Sequence, residues 1–577
     1  MRCDAARNAA THRRRMPGKR KRARDADDDA DRARRRWPEA LVVTHDGARD
    51  GGAAACHACA EHGDAEDLAA WLFAPLDAET FARECVDRRV VHFKRTNARA
   101  RFDGWFALAD VEALARMGTC AYGTDVDVTS YVNGVRRTHN HNDRANDGDD
   151  DDGCHRVGAG TSGGGGGGEE ARDGIVDADA LMRRFREDKC SLRVLHPQTR
   201  HDGMWKILAT LETFFGCATG CNVYCTPPNS QGFAPHYDDI DAFVCQIEGE
   251  KRWRVYEPLE DEQYPRVSSK NFTQEEIMHQ RVLFDGVLSA GDVLYMPRGA
   301  IHQAECSTGD EPSVHATIST NQLNAPADLL EMSVGDMLQD FINTEDECRK
   351  SLPRTFLRDQ WAQDGTEAGD AVERVVELQR EFLRRRMKNG DEYIKEARNR
   401  LGARLMLQRL PPPPSHFAKS PSHTGPDAAR KMLEKAPPRV TLQLSGAQRV
   451  CAFGDRLAVC HIFDNARDAS HRLVTTHDVA TASSSTAKSI DVDENVPGYA
   501  YFDARDGQFL DLLLDTAEDA FIDVQDLAAE YIMNNNDDAE SDDDDGGSDD
   551  DRDVGHFVRV AARLVACGVL AVERAAV

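Results

Sequence analysis

Three His-x-Asp pairs punctuate the chain: His62/Asp64, His141/Asp143 and His236/Asp238. Two imidazoles and one carboxylate on one face hold Fe(II) in enzymes that activate oxygen, and the opposite coordination positions stay open for co-substrate and O2. Residues two apart on an extended chain point to the same side, so each pair could supply two such ligands. The three-residue pattern is short, and its surroundings must choose among the copies. His62/Asp64 precedes the region of apolar patterning, and His141/Asp143 sits in a charged, glycine-rich stretch, so neither has a rigid scaffold. Behind His236/Asp238 the chain runs on through an apolar segment, 242–247. It then turns at Glu248, Gly249 and Glu250 and returns over 251–256, which predicts a hairpin packing the pair into a small β-barrel. The third ligand candidate is His302 in AGDVLYMPRGAIHQAE, 64 residues after Asp238. Gly291-Asp292 and Pro297-Arg298-Gly299 bracket a short strand there, and a turn presents His302 beside the next one.

The rest of the chain must position these groups. Its 577 residues exceed one hydrophobic core and predict several domains. The formal charge of -28 is clustered: the stretches 143–152 and 537–553 together carry 15 of those net negative charges. Such runs repel themselves and lack apolar residues, so the total is a poor guide to partners. The first 40 residues hold no apolar segment of signal-peptide length, and no apolar run nears the ~20 residues of a membrane span, which argues against secretion or membrane insertion. The 16 cysteines sit singly in apolar segments and read as reduced thiols of a cytosolic or nuclear protein. Cys56 and Cys59 form a CxxC without a second pair, and Cys217, Cys221 and Cys225 are likewise read as chance spacing rather than a zinc site.

Residues 1–66 read as a disordered leader containing RRRMPGKRKRAR, eight cations in twelve residues, a nuclear-import signal or nucleic-acid-binding arm. Apolar residues at helical spacing from Trp71 precede a short strand, Val90 to Phe93, so the folded body starts near residue 67. A β-rich domain spans 67–324, with a disordered insert over 140–172. A helical region, 325–410, carries the stripe Val372, Val375, Val376, Phe382 and Leu383, suited to core packing or a dimer interface. Prolines 411–414 open a linker, 411–438, and an α+β unit with an acidic insert over 534–553 occupies 439–577.

The stretch from Asn222 to Pro258, NVYCTPPNSQGFAPHYDDIDAFVCQIEGEKRWRVYEP, followed by GDVLYMPRGAIHQAE, resembles the ribosomal-oxygenase branch of the JmjC-type 2-oxoglutarate oxygenases. Weaker similarity extends upstream through WLFAPLDAETF, DVDVTSYVNGVRRTHN and SLRVLHPQ, so the resemblance covers roughly 71–321. It implies an α+β chain: a double-stranded β-helix of JmjC/cupin type, then a helical dimerisation region and a winged-helix-like C-terminal domain. By motif match it implies that His236, Asp238 and His302 are iron ligands and that Lys251 binds the distal carboxylate of 2-oxoglutarate. An inward cation on the return strand would neutralise that acid, although a register slip would exchange Lys251 with Arg252. Asn222 and Tyr224, on one face of the preceding strand, match polar residues of the co-substrate pocket. Ser319, with Thr317 on HATIST, is a further candidate for that pocket.

The implied function is a 2-oxoglutarate-dependent dioxygenase that uses Fe(II) and O2 to hydroxylate a histidine of a large-subunit ribosomal protein. The same chemistry at an N-methyl lysine would demethylate a histone tail. The implied partners are a ribosomal protein, histone tails and a second copy of the chain. The implied location is the nucleus, and within it the nucleolus. A non-catalytic JmjC-like scaffold for ribosomal or chromatin proteins is the alternative, which an intact ligand triad with a matching lysine opposes. A small-molecule cupin with another metal is a third reading, opposed by the basic leader and the large C-terminal region. The acidic tract of the C-terminal unit would repel nucleic acid, so direct nucleic-acid binding is left open rather than assigned.

Overall fold

The computed structural model describes residues 36–142, 174–306, 310–354, 356, 366–386, 390–417, 426–434, 439–453, 456–467, 498–538 and 552–573. The basic run at 13–24, the Asp- and Gly-rich stretch from 143 and most of the acidic run lie outside the described residues.

The β-rich part contains β1 (Leu41–Asp46), β2 (Val91–Thr96), β3 (Val126–Val132), β4 (Val135–Thr138), β5 (Ser191–Leu195) and β6 (Gly220–Thr226). It continues with β7 (Asp241–Glu248), β8 (Glu250–Tyr256), β9 (Val282–Ser289), β10 (Val293–Met296), β11 (Ile301–Glu305) and β12 (Ser313–Thr320). A nine-stranded sheet has the order β1-β2-β10-β7-β12-β6-β5-β3-β4, and a three-stranded sheet has the order β11-β8-β9. Period-2 alternation divides each strand of the large sheet between two environments. On β6, Cys221, Val223 and Cys225 join the apolar core beneath helices Ala65–Phe73, Ala178–Arg186 and Asp202–Phe215, while Asn222 and Tyr224 line a cavity on the other face. The cysteine spacing in this stretch is therefore strand alternation. Phe73 anchors the helical layer by stacking on Phe81, with ring centroids 4.4 Å apart, and by meeting Phe243 of β7 at 5.7 Å. Truncating a buried aromatic of this kind costs about 3–5 kcal/mol.

Four expectations need correction. Residues 36–66, read as part of the leader, belong to the folded body: β1 pairs in parallel with β2, helix Gly52–His62 follows it, and Trp37 is 4% exposed. That helix buries only Cys56 and Ala60, residues too small to show an apolar stripe in the sequence. Second, β7 and β8 are not a hairpin. Only Gly249 separates them, yet β7 bonds to β10 and β12 while β8 bonds to β9 and β11, so the chain turns a corner from one sheet into the other. Gly249 takes φ +61°, and a Cβ there would lie 2.2 Å from the Pro312 carbonyl oxygen, so the corner requires glycine. Third, the linker is docked. Trp205 Nε1 donates to the Pro411 carbonyl at 2.8 Å, the His416 ring lies 2.6 Å from the Ala60 carbonyl, and Ala429 and Leu433 of helix Pro426–Leu433 enter the C-terminal core. Fourth, Asn140 and Asn142, placed in the first insert, are bonded into the fold. Asn140 accepts from Val128 N and donates to Asp127, and Asn142 donates to the Ile175 carbonyl.

Helices Pro326–Thr344, Glu367–Arg386 and Gly390–Gln408 fill the expected helical region. Beyond them are β13 (Arg439–Leu442), β14 (Gln448–Phe453), β15 (Arg456–His461), β16 (Tyr499–Asp503), β17 (Ile522–Asp523) and β18 (Leu570–Val572), in sheets ordered β17-β13-β18 and β14-β15-β16. Helices Gly507–Asp519, Val524–Asp538 and Val554–Ala566 accompany them. The second of these runs into the predicted acidic insert, and Arg552 at the insert's far end pairs with Asp506 at 3.0 Å. Among the described residues no helix is long and apolar enough to cross a membrane.

Candidate metal centre

His236 and Asp238 lie on the extended approach to β7 rather than within a long strand. His236 forms an isolated antiparallel bridge with His302 at the start of β11: His236 N donates to the His302 carbonyl (3.1 Å), and His302 N donates back (2.8 Å). A bonded cross-strand pair sets its side chains next to each other, and the two rings stand 4.5 Å apart. Gly299 N fixes the same segment by donating to the Asp238 carbonyl at 3.0 Å. The Asp238 carboxylate then reaches both rings, with Oδ1 3.8 Å from His236 Nε2 and Oδ2 3.8 Å from His302 Nε2. One donor atom from each of the three side chains falls within 4.8 Å of the others.

Tautomers follow from geometry. His236 Nδ1 lies 2.8 Å from the Ala234 carbonyl, and His302 Nδ1 lies 3.0 Å from the Ala300 carbonyl. A carbonyl only accepts, so each ring carries a proton on Nδ1 and turns its Nε2 to the centre. Burial, then the neighbouring His302 ring, push His236 down to about 4, while Asp238 pulls the other way. The donor set is two imidazole nitrogens and one carboxyl oxygen, with one side open, which fits Fe(II) in a facial triad.

The open side gives onto a cavity of about 640 Å³. Lys251 on β8 points into it, 5% exposed, and donates to Thr226 Oγ1 at 2.8 Å. Arg252 points outward and clasps Asp285 at 2.8 and 2.9 Å, so the register puts the lysine inside. Burial pulls the Lys251 ammonium down to about 8, for lack of a facing anion. Asn222, Tyr224, Thr317 and Ser319 all line the cavity. Asn222 Oδ1 is buried without a hydrogen-bond partner, and burial raises the Tyr224 phenol, which hydrogen-bonds with Asn222 and Arg193. Ser319 faces Gly220 across the β12–β6 ladder, where a Cβ would meet its hydroxyl at 2.4 Å.

The sequence reading missed Arg136, Arg193, Phe233, Trp253 and His315 on the same wall. Register shows why Arg193 and His315 belong there. One row of the sheet runs Asp127, Arg193, Tyr224, His315 across β3, β5, β6 and β12, and the Tyr224 ring stacks on His315 at 4.9 Å. The alternation of HATIST, which singled out Ser319, would have carried His315 as well. The other His-x-Asp pairs form no such group among the described residues. His62 ends helix Gly52–His62, Asp64 precedes the next helix, and Asp143 lies outside the described residues. The Cys56 thiol is buried in the core and pushed up to about 12 by burial, as a packing cysteine would be.

Two sheets backed by helices, with a His-Asp-His group at the mouth of the cavity between them, define a cupin-like, metal-dependent oxygenase. Residues 193–327 match the family model of the JmjC domain. The chain is 33% identical over 412 residues to Ribosomal oxygenase 1 of Danio rerio, covering 70% of this chain and 69% of that protein. It is 40% identical over 294 residues to Ribosomal oxygenase 1 of Gallus gallus, covering 51% and 43%. A protein of Aedes aegypti named bifunctional lysine-specific demethylase and histidyl-hydroxylase NO66 is 38% identical over 285 residues, covering 49% and 39%. The chain thus spans less than half the length of the last two relatives. Among solved structures, YcfD, a ribosomal oxygenase from Escherichia coli in complex with cobalt and 2-oxoglutarate, aligns with a TM-score of 0.38 at 16% identity, covering 87% of this chain and 99% of that one. On the sequence matches, the chain belongs to the JmjC ribosomal-oxygenase family, enzymes that work with Fe(II), 2-oxoglutarate and O2.

Proposed function

We propose that this protein hydroxylates a histidine side chain of a ribosomal protein, with His236, Asp238 and His302 holding Fe(II). The observation that carries this reading is the convergence of two Nε2 atoms and one carboxylate, with both imidazoles locked into the metal-binding tautomer. Fe(II) with 2-oxoglutarate supplies oxidative decarboxylation coupled to hydroxylation of a C–H bond. Lys251 and Thr226 receive the distal carboxylate of the co-substrate, and the buried Asn222 Oδ1 and the Tyr224 hydroxyl orient what enters between them and the metal. Trp253 and His315 pack behind the lysine and exclude water from it. Demethylation of an N-methyl lysine is the second reading, favoured by the name of the Aedes aegypti relative.

The finer architecture belongs to the same proposal. Helix Pro326–Thr344 exposes Leu330, Val334 and Leu338 at four-residue spacing, and helix Glu367–Arg386 exposes Val372, Val375 and Leu383. These faces form a homodimer interface. The unit beyond Pro426, with helices on the sheet β17-β13-β18, is winged-helix-like and serves protein docking, since an acidic chain complements a basic ribosomal protein. The basic run at 13–24 directs the protein to the nucleus, where the nucleolus concentrates such substrates.

The test incubates the purified chain with Fe(II), 2-oxoglutarate and synthetic peptides covering histidine-containing segments of large-subunit ribosomal proteins, beside methylated histone tails. Mass spectrometry reads the gain of one oxygen or the loss of one methyl group. Product that persists in His236→Ala would defeat the metal assignment.

A further inference from the structure

Among the described residues, Arg136 is the one cavity-lining guanidinium that meets an aromatic ring and no hydrogen-bond acceptor. It stands on β4, the edge strand of the large sheet, opposite Tyr131 of β3, and its guanidinium carbon lies 4.7 Å over the Phe233 ring. Its Nε is buried with no hydrogen-bond partner, and among the described residues no side chain or carbonyl accepts from it. The nearest carboxylate is committed elsewhere. Asp127 Oδ2 takes Arg193 Nε at 3.0 Å and Asp127 Oδ1 takes Asn140 at 2.8 Å. A second guanidinium, Arg193, leans over the same Phe233 ring at 5.6 Å. Burying a guanidinium N–H without an acceptor is costly, and the Arg136 Nε bears that cost.

In the proposed pose the co-substrate has both ends engaged elsewhere: Lys251 and Thr226 would hold one carboxylate of that five-carbon diacid, and the His236-Asp238-His302 group would take the other end. β4 lies three strands away from β6, which carries Thr226, so the two backbones are about 14 Å apart at ordinary strand spacing. The acceptor must arrive with the polypeptide substrate. Phe233 holds the guanidinium by its face and leaves the N–H edge for a planar oxygen acceptor. Phe233 is itself 5.4 Å from Tyr224 and 6.5 Å from His236, so an oxygen bound there belongs to a residue adjoining the one presented to the metal.

We infer that Arg136 is a substrate-positioning residue, donating to a main-chain carbonyl of the polypeptide substrate beside the oxidised side chain. This rests on the oxygenase reading above. The test compares the native chain with Arg136→Gln and Arg136→Lys on a ribosomal histidine peptide that the native chain oxidises, and on the same peptide with every Asp and Glu replaced by its amide. The expected result is a peptide KM raised about tenfold or more in Arg136→Gln, on both peptides, with kcat and the KM for 2-oxoglutarate moving far less. Arg136→Lys and added methylguanidinium should each restore part of the loss. A KM effect confined to the acidic peptide overturns the carbonyl assignment, and an effect on the 2-oxoglutarate KM instead places Arg136 with the co-substrate. An oxidised peptide whose KM is the same in Arg136→Gln removes this inference alone. No oxidised peptide with the native chain removes the functional reading and this inference with it.

Discussion

Replacing Lys251 by methionine should move two observables in opposite directions. The ammonium is 5% exposed, donates to Thr226, and is drawn by burial from its ordinary value near 10.5 to about 8. At pH 7 the lysine is charged in the folded and the unfolded chain alike, and the folded chain bears the desolvation cost. The difference in pKa corresponds to about 3 kcal/mol. That cost is fully present below pH 8 and disappears as the pH rises from 8 towards 10.5, where the folded lysine is neutral and the unfolded one still charged. Lys251→Met removes the cost and keeps the apolar stem, while Thr226 retains Ser191 Oγ at 3.4 Å. The metal-free, co-substrate-free variant should therefore melt several degrees above the native chain at pH 7, and the gap should narrow steadily above pH 8, leaving only a small part of it by pH 10. Co-substrate binding should go the other way. Losing one partner of a buried ion pair costs about 2–5 kcal/mol, so the KM for 2-oxoglutarate should rise by about 10²-fold or more. In the native chain that KM should climb above pH 8 as the ammonium is lost. Differential scanning fluorimetry across pH and succinate formation against 2-oxoglutarate concentration read the two effects. A variant that melts with the native chain at every pH and keeps its KM would refute the placement of this lysine.

Three further outcomes follow from the geometry. His302→Ala leaves a two-ligand group, and Co(II) affinity followed by visible absorption should fall by more than the roughly 10–100-fold that even outer-shell partners of a metal carry; unchanged affinity would take His302 out of the site. Gly249→Val puts a branched side chain at φ +61° against the Pro312 carbonyl, and urea denaturation should show a loss of about 2–4 kcal/mol, whereas a neutral result would mean the corner relaxes freely. Leu338→Glu places a charge on the exposed apolar stripe of helix Pro326–Thr344, and light scattering should find monomer in place of dimer, while a native chain that is already monomeric would discard the interface.

Local chemistry made much of the site readable in advance. His236 and Asp238 are two apart on extended backbone, so both had to face one way, and the alternation of β8 set Lys251 against Arg252 on opposite faces. These are consequences of a two-residue period that each strand carries by itself. Which face looks inward is another matter. Lys251 and Arg252 could have exchanged places until β8 was paired with β9 and β11, which sends Arg252 to Asp285 and Lys251 to Thr226. The hairpin expected at Gly249 went wrong for the same reason: a tight turn between two strands looks alike in sequence whether the strands pair or part onto separate sheets.

Sequence therefore determined the types of ligand, the pair on one side of the extended segment, and the family to which they belong. Tertiary structure alone decided that His302 bridges His236, that Tyr224 stands between Arg193 and His315, and that Arg136 comes to rest over Phe233 without an acceptor. The physical reason is range. Side-chain direction along a strand follows from the backbone of two neighbours, whereas strand partner and register are chosen by the burial of a core assembled from segments far apart in the chain, such as His92 and Asp292, 200 residues from each other.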